Sequence, residues 1–374
     1  MALFDPIAQA RSRFASYDAQ RDLSNKAFSA LCYAPYTTLY FDTSANVRVC
    51  CHNAKFPAGN ILENSIDEIW QGARITSLRE SMAAYKFGKG CEFCELQASD
   101  NWFTNLAMQR FDEFKLPSSA PEWPQQMEFS ISNACNLECI MCAGDWSSTI
   151  RSKREKRPKM PHLYSREFLL SLRKYLPHLK RAKFLGGEPF LVREYYVLWD
   201  MMIEEKLYTQ CHVTTNGSQL NSRVRQVMDG LPFSISVSLD GVTKETVERI
   251  RVNTKFEELV SNVKHFRKYA SERNTSFSLT FCLMRQNWEE FGDYCAFADD
   301  LDCSVWINTV LNPPQFGLYT LDPVGLREVV RGMERQAPRL DKQLGRNKRV
   351  WFSEFERLRR RSEANATKAI SVNV

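Results

Sequence analysis

Cys135, Cys139 and Cys142 fall within one short run, Ser132-Asn133-Ala134-Cys135-Asn136-Leu137-Glu138-Cys139-Ile140-Met141-Cys142, directly after an alternating, strand-like segment. Three thiolates on one loop can hold three irons of a cubane 4Fe-4S cluster and leave the fourth iron open to another molecule. An iron without a protein ligand is a place for chemistry. Structural zinc usually draws its ligands from two loops, so two tight spacings on a single loop suit it poorly. Downstream, Ala182 to Leu185 reads as a short buried strand that runs into Gly186-Gly187-Glu188-Pro189-Phe190, where two glycines allow backbone to approach a ligand closely.

This order of motifs resembles the radical S-adenosylmethionine (radical SAM) superfamily, in which the amino and carboxylate groups of the cofactor chelate the unique iron. The resemblance implies that Cys135, Cys139 and Cys142 hold the cluster and that Gly186, Gly187 and Glu188 form the family's Gly-Gly-Glu-Pro turn, with Glu188 accepting from the cofactor's ammonium group. It further implies that Ser238 and Asp240 contact the ribose or methionyl part, and that Arg251 binds the carboxylate. The residue before the third cysteine is often aromatic in the family; here it is Met141, a flexible thioether that can fill the same space.

The elements that must position these residues alternate strand and helix from about residue 126, the signature of a parallel sheet wrapped by helices. Strands are expected at Met127 to Ser132, Ala182 to Leu185, His212 to Thr215, Phe233 to Leu239, Phe277 to Leu283 and Ser304 to Val310. Ser165 is a plausible N-cap for a helix carrying Phe168, Leu169, Leu172, Tyr175 and Leu176, and Phe256, Leu259, Val260, Val263 and Phe266 mark one face of another. Six such units give an α/β fold, a partial (β/α)6 TIM-type barrel. Ligand sites of parallel barrels lie at the carboxyl ends of the strands, where the cysteine loop, Gly186 to Phe190, Asn216, Ser238 and Asp240 all fall. Ser-x-Asp-Gly also occurs as plain turn chemistry. Cys282, on the fifth strand, is a candidate for giving a hydrogen atom to a substrate radical.

A second cysteine set precedes the barrel: Cys32, the adjacent Cys50 and Cys51, and Cys91-Glu92-Phe93-Cys94. Thr38 to Cys51 reads as a hairpin around Thr43-Ser44-Ala45-Asn46, and Ser65-Ile66-Asp67-Glu68 as a capping box opening a helix that buries Ile66, Ile69 and Trp70. This hairpin-plus-helix module resembles the SPASM or twitch module of peptide-modifying radical SAM enzymes, which implies one auxiliary 4Fe-4S cluster on Cys32, Cys50, Cys91 and Cys94. Cys51 competes with Cys50, since neighbours on a strand face opposite sides. Four thiolates with one Cys-x-x-Cys also suit tetrahedral zinc. The module departs from the family by preceding the barrel and by carrying too few cysteines for two clusters. Cys211, Cys295 and Cys303 read as buried small hydrophobes.

The expected segments are a helical lead-in at 1–25, the auxiliary module at 26–118, the core at 124–315 and a helical C-terminal extension at 316–374. The chain has 374 residues, 44% hydrophobic and 25% charged, with a net charge of +6, an ordinary composition for a folded protein. No stretch is long and apolar enough for a bilayer, and Met1-Ala2-Leu3-Phe4-Asp5-Pro6 lacks the features of a signal peptide, so a cytoplasmic protein is expected. Twelve cysteines in a reducing compartment point to metal rather than disulfides. The basic run Arg151 to Lys159 reads as a solvated helix face and the tail arginines Arg357, Arg359, Arg360 and Arg361 as a frayed tail, or else both attract an acidic partner such as a peptide leader or a phosphate-bearing substrate.

The resemblance implies a radical SAM oxidoreductase or maturase. It would cleave S-adenosylmethionine reductively and abstract hydrogen from a ribosomally made peptide, leading to oxidation, a cross-link or an epimer. The alternative substrate is a small molecule such as a sugar or aminocyclitol. An electron donor such as flavodoxin or ferredoxin is implied as partner; membrane and nucleic acid are not expected.

Overall fold

The computed structural model describes residues 6–99, 106–207 and 209–372, with side chains described except at 6, 99 and 365–372. The start Met1 to Asp5, and parts of the expected segments 1–25, 26–118 and 316–374, thus lie outside the described residues. The chain divides into two compact units, one of Met1–Ser132, Pro161–Gly186 and Arg193–Cys211, the other of Asn133–Met160, Gly187–Val192 and His212–Val374.

The first unit holds β1 (Thr38–Phe41), β2 (Asn46–Arg48), β3 (Gly59–Asn60), β4 (Gln126–Phe129) and β5 (Arg181–Phe184), in the order β3-β2-β1-β4-β5. The expected hairpin is β1 and β2. Its turn is tied by Asp42, whose Oδ1 accepts from the Ser44 and Asn46 amides and whose Oδ2 takes the Arg48 guanidinium at 2.6 Å. The hairpin does not close on itself: β1 runs parallel to β4 and β4 parallel to β5, with Tyr40, Glu128 and Lys183 in one register row. The reason lies on the other face, where Phe41, Phe129 and Phe184 stack at centroid distances of 5.2 and 5.5 Å, and Phe184 meets Tyr195 and Trp199 of the helix Arg193–Glu204. The hairpin is kept, and burial of three rings across three strands adds the free edge of β1 to β4. The Ser65 capping box is present as expected, opening the helix Ile66–Trp70, and helices Ala73–Ala83 and Glu92–Ser99 follow.

The second unit takes most of β6 (Gln210–Thr215), then β7 (Phe233–Ser238), β8 (Phe277–Leu283) and β9 (Ser304–Thr309), in that order, with β7, β8 and β9 parallel. All six strands expected from periodicity form, the first ending at Phe129 rather than Ser132. The helix Phe256–Glu272 buries Leu259, Val263 and Phe266, leaving Phe256 and Val260 half-buried. Helices Ser148–Lys153, Ser222–Gly230 and Lys244–Ile250 were not foreseen, because charged residues interrupt their short apolar faces. Asn221 and Thr243 cap the latter two.

Two long helices, Pro323–Gln343 and Lys348–Val372, close the chain and pack on the helix Phe291–Asp300. Asn347 ties them to the unit: its side chain donates to Asp299 Oδ1 and the Cys303 carbonyl and accepts from the Val305 amide. The tail arginines are largely spent internally, Arg357 on Glu354 and Arg359 and Arg360 on Glu356. Among the described residues no helix is long and apolar enough to cross a membrane.

Candidate metal centres

In the second unit the cysteine loop is braced from several sides. Glu138 and Ile140 donate their amides to the Val252 and Ile250 carbonyls, Ser147 Oγ donates to Leu137 O, and Thr149 Oγ1 to Cys135 O. Part of the basic run forms this brace: Arg154 Nη1 donates to the carbonyls of Glu138 and Cys139 at 3.2 Å, Lys153 pairs with Glu138, and Arg151 and Arg157 hold Asp145. These cations therefore stiffen the loop, a role that their charge pattern alone did not reveal.

Burial pushes the Cys139 thiol up to about 12 and Cys142 up to about 11, with each neighbouring thiol adding to the effect, and Cys135 moves the same way. Nitrogen donors face two of these sulfurs: Asn216 Nδ2 lies 3.8 Å from Cys135 Sγ, and Arg251 Nη1 lies 4.0 Å from Cys139 Sγ. A set of three thiols with nitrogen donors fits an anionic sulfur-bound cluster.

Gly187 has φ +51, and a Cβ there would meet the Ala134 carbonyl oxygen at 2.3 Å, so only glycine lets the turn lie against the cysteine loop. Glu188, fully buried, accepts from Thr215 Oγ1 at 2.7 Å, the Asn216 amide at 2.7 Å and the Phe190 amide at 3.2 Å. Burial nevertheless wins over these donors and raises its carboxyl to about 7.

Asp240, buried at φ +65, accepts from the Cys282 amide on Oδ1 at 2.6 Å and pairs with Arg251 Nη2 through Oδ2 at 2.6 Å, and Asn287 Nδ2 donates to its carbonyl. Asp240 thus orients Arg251, whose Nε is buried without a hydrogen-bond partner. Ser238 sits half-buried at the end of β7, in register with Thr280. Cys282 packs, together with Met141 and Ile140, against Ile250, Met284 and Val310. Sequence reasoning missed the roles of Arg154, Thr215 and Asn287; the only signal was that Thr215 ends an expected strand and Asn287 lies in the loop after another.

The second cysteine set lies in the first unit. Cys32 precedes the short helix Ala34–Thr37, Cys50 and Cys51 follow β2, and Cys91 and Cys94 open the helix Glu92–Ser99. Burial raises the Cys32 thiol well above its ordinary value, and Cys94, Cys50 and Cys91 push the same way, which puts these four thiols in one electrostatic neighbourhood. Cys51 behaves differently. Burial would raise it, but the Arg110 guanidinium, with Nη2 3.2 Å from its sulfur, and the His52 ring hold it at about 6. His52 stacks on Phe93 at 4.1 Å, and Asn53 Nδ2 lies 3.6 Å from Cys91 Sγ. Among the described residues no group of three or more His, Cys, Asp or Glu converges tightly enough for a single metal ion. Cys211, Cys295 and Cys303 are buried, as expected.

Residues 129–298 match the model of the Radical SAM superfamily, and residues 32–95 match SPASM, an iron-sulfur cluster-binding domain. A probable GTP 3',8-cyclase of Methanocaldococcus jannaschii is 25% identical over 179 residues, covering 47% of this chain and 56% of that one. The GTP 3',8-cyclase of Aliarcobacter butzleri is 24% identical over 151 residues, covering 38% and 42%. The chain thus spans about half the length of these relatives. Among solved structures, Streptococcus suis SuiB bound to S-adenosylmethionine aligns with TM-score 0.41 at 15% identity, covering 58% of this chain and 48% of that one. Native anSMEcpe with bound AdoMet aligns with TM-score 0.43 at 18% identity, covering 57% and 60%.

With cubanes in both cages, anaerobic reconstitution gives about eight irons per chain. Cys50→Ser is expected to lower this to about four and Cys51→Ser to leave it unchanged; iron analysis with the reverse outcome makes Cys51 the ligand. Cys135, Cys139 and Cys142 lie inside the first matched segment and Cys32, Cys50, Cys91 and Cys94 inside the second. Residues 129–298 thus carry a radical SAM domain and residues 32–95, before it, a SPASM iron-sulfur cluster-binding domain, which together imply a 4Fe-4S cluster, S-adenosylmethionine and an auxiliary iron-sulfur site as cofactors.

Proposed function

We propose that this protein cleaves S-adenosylmethionine reductively and takes a hydrogen atom from a carbon of a ribosomally made peptide, the outcome being oxidation, a cross-link or an epimer. The observation that carries the reading is the braced loop with Cys135, Cys139 and Cys142 beside Glu188, Asn216 and Arg251. When bound, the cluster supplies the electron that breaks the sulfonium bond. The chain's own residues then have separate tasks. The three cysteines hold the cluster, and Arg154 keeps their loop from moving. Glu188 accepts from the ammonium group of the cofactor, Gly186 and Gly187 let it come close, and Asn216 and Ser238 line its path. Arg251, oriented by Asp240, faces its carboxylate. Cys282 stands as the hydrogen donor for an epimerising outcome.

In this reading 26–118 is the auxiliary module, 124–315 the core and 316–374 a supporting tail, with flavodoxin or ferredoxin as electron donor. The SPASM match supports a peptide substrate, since such modules accompany peptide-modifying enzymes. The relatives named GTP 3',8-cyclase favour a second reading, a small-molecule substrate.

Mass spectrometry separates the two. Reconstituted protein given S-adenosylmethionine, dithionite and any short precursor peptide found encoded beside its gene is expected to return a peptide lighter by two hydrogens, or one that gains deuterium from heavy water if epimerised. An unaltered peptide alongside a consumed nucleotide or sugar supports the second reading instead.

Glu188 adds a pH signature. Its carboxyl, raised by burial to about 7, must be ionised to receive an ammonium group, so cofactor affinity rises with pH through about 7 and levels off above it. Equilibrium binding of S-adenosylmethionine to the reconstituted protein checks this; Glu188→Gln is expected to bind more weakly with no such rise, and a rise that survives the substitution excludes Glu188 as its source.

A further inference from the structure

In the second unit β9 stands last in the strand order, with β8 on one side and an open edge on the other. Which residues face that edge follows from β8. The Thr280 carbonyl accepts from the Leu239 amide, so Thr280 turns its backbone groups toward β7 and Phe281 turns its own toward β9. Phe281 lies opposite Ile307, and in a parallel ladder only one residue of such a pair spends its groups on the pairing. Val305, Ile307 and Thr309 therefore point their amides and carbonyls away from β8. The Val305 amide donates to Asn347 Oδ1 at 2.8 Å, as that direction requires. Among the described residues no hydrogen bond reaches the outward groups of Ile307 or Thr309.

Soluble proteins blunt such an edge with lysine, proline or a bulge. Here Ser304-Val305-Trp306-Ile307-Asn308-Thr309-Val310-Leu311 holds neither charge nor proline, and Trp306 is 64% exposed. Trp306 and Asn308 lie opposite Thr280 and Cys282, so they share the face of Cys282, while Phe281 on the other face packs on Phe291 and Tyr294. Alternating amides and carbonyls at strand spacing complement one chemistry, another extended backbone. A second copy of the chain fits poorly, because Asn347 already occupies the start of the edge and a stable pairing of copies buries about 1,000 Å² or more. A substrate needs less, since enzymes hold substrates at about 1 μM to 1 mM.

We propose that β9 is the docking edge for an extended segment of a peptide substrate, which adds as a further strand through Ile307 and Thr309 and lays apolar side chains on Trp306. The segment is an anchor. It lies two strand spacings, about 10 Å, from β8, so the residue that reacts lies beyond it, toward the carboxyl ends of the strands where Asp240 holds Arg251. This inference rests on the peptide reading given above.

The test pans the reconstituted full chain against a phage-displayed library of random short peptides and measures the enriched ones, fluorescently labelled, by anisotropy. Methylating the peptide's backbone nitrogens singly is expected to weaken binding about tenfold at every second position and little between them. Ile307→Pro removes an outward amide without touching the ladder to β8, and is expected to weaken the same peptides about tenfold, whereas Ile307→Val binds as the native chain does. No enriched peptide, or weakening without the two-residue period, overturns the proposal. So does a native dimer that Ile307→Pro dissociates in light scattering, which makes a second copy the occupant. Consumption of a nucleotide or sugar with every offered peptide unaltered is a different failure: it removes the peptide reading, and the substrate assigned to this edge with it.

Discussion

Clustered thiols resist both burial and each other's charge, and each cage is built around that resistance. Left alone, Cys139, Cys142 and Cys94 hold their protons far above neutral pH, because ionising one leaves a charge that burial and neighbouring sulfurs oppose. A metal cluster reverses the balance by taking thiolates and releasing protons, so binding it couples directly to folding of the loop that presents them. The protein's contribution is to fix the geometry beforehand. At the core this falls to Arg154, Ser147 and Thr149, which spend their donors on carbonyls of the cysteine loop itself.

Each cysteine set also has one arginine against one of its sulfurs, Arg251 at Cys139 and Arg110 at Cys51. Arg251 is oriented by a buried carboxylate, Asp240, which is in turn held by the Cys282 amide. A buried ion pair of this kind contributes little net stability, since desolvation offsets attraction. Its value here is direction: the pair with Asp240 leaves Arg251 Nη1 4.0 Å from Cys139 Sγ. Arg110 is anchored by a thiol instead, beside a carboxylate that Lys183 already engages. The two centres thus solve one electrostatic problem with different partners.

What the sequence disclosed follows from the range over which each feature is specified. The three-cysteine loop and the Gly-Gly-Glu-Pro turn are local, so spacing alone exposed them, and strand periodicity located β4 to β9 to within a few residues. The adjacent Cys50 and Cys51 were legible as competing ligands, but they lie beyond the end of β2, and the contact of Cys51 with Arg110 was not visible in the sequence. The pairing of β1 with β4 was hidden: Tyr40 and Glu128 lie far apart in sequence, and residues 38–51 satisfy hairpin chemistry by themselves. Arg154 and Arg110 were equally illegible, the first because a run of cations resembles a solvated face, the second because an isolated arginine carries no pattern. Both matter through partners that only the fold brings together.

The central claim is that three thiols on one loop hold a cluster that breaks S-adenosylmethionine. The most direct measurement is 5'-deoxyadenosine release by the reconstituted protein, free of air and supplied with dithionite. The account predicts release by the native chain and its abolition when Cys135, Cys139 and Cys142 become alanine, with the auxiliary irons retained. No release from a fully loaded native chain, or release undiminished in the alanine variant, would contradict it.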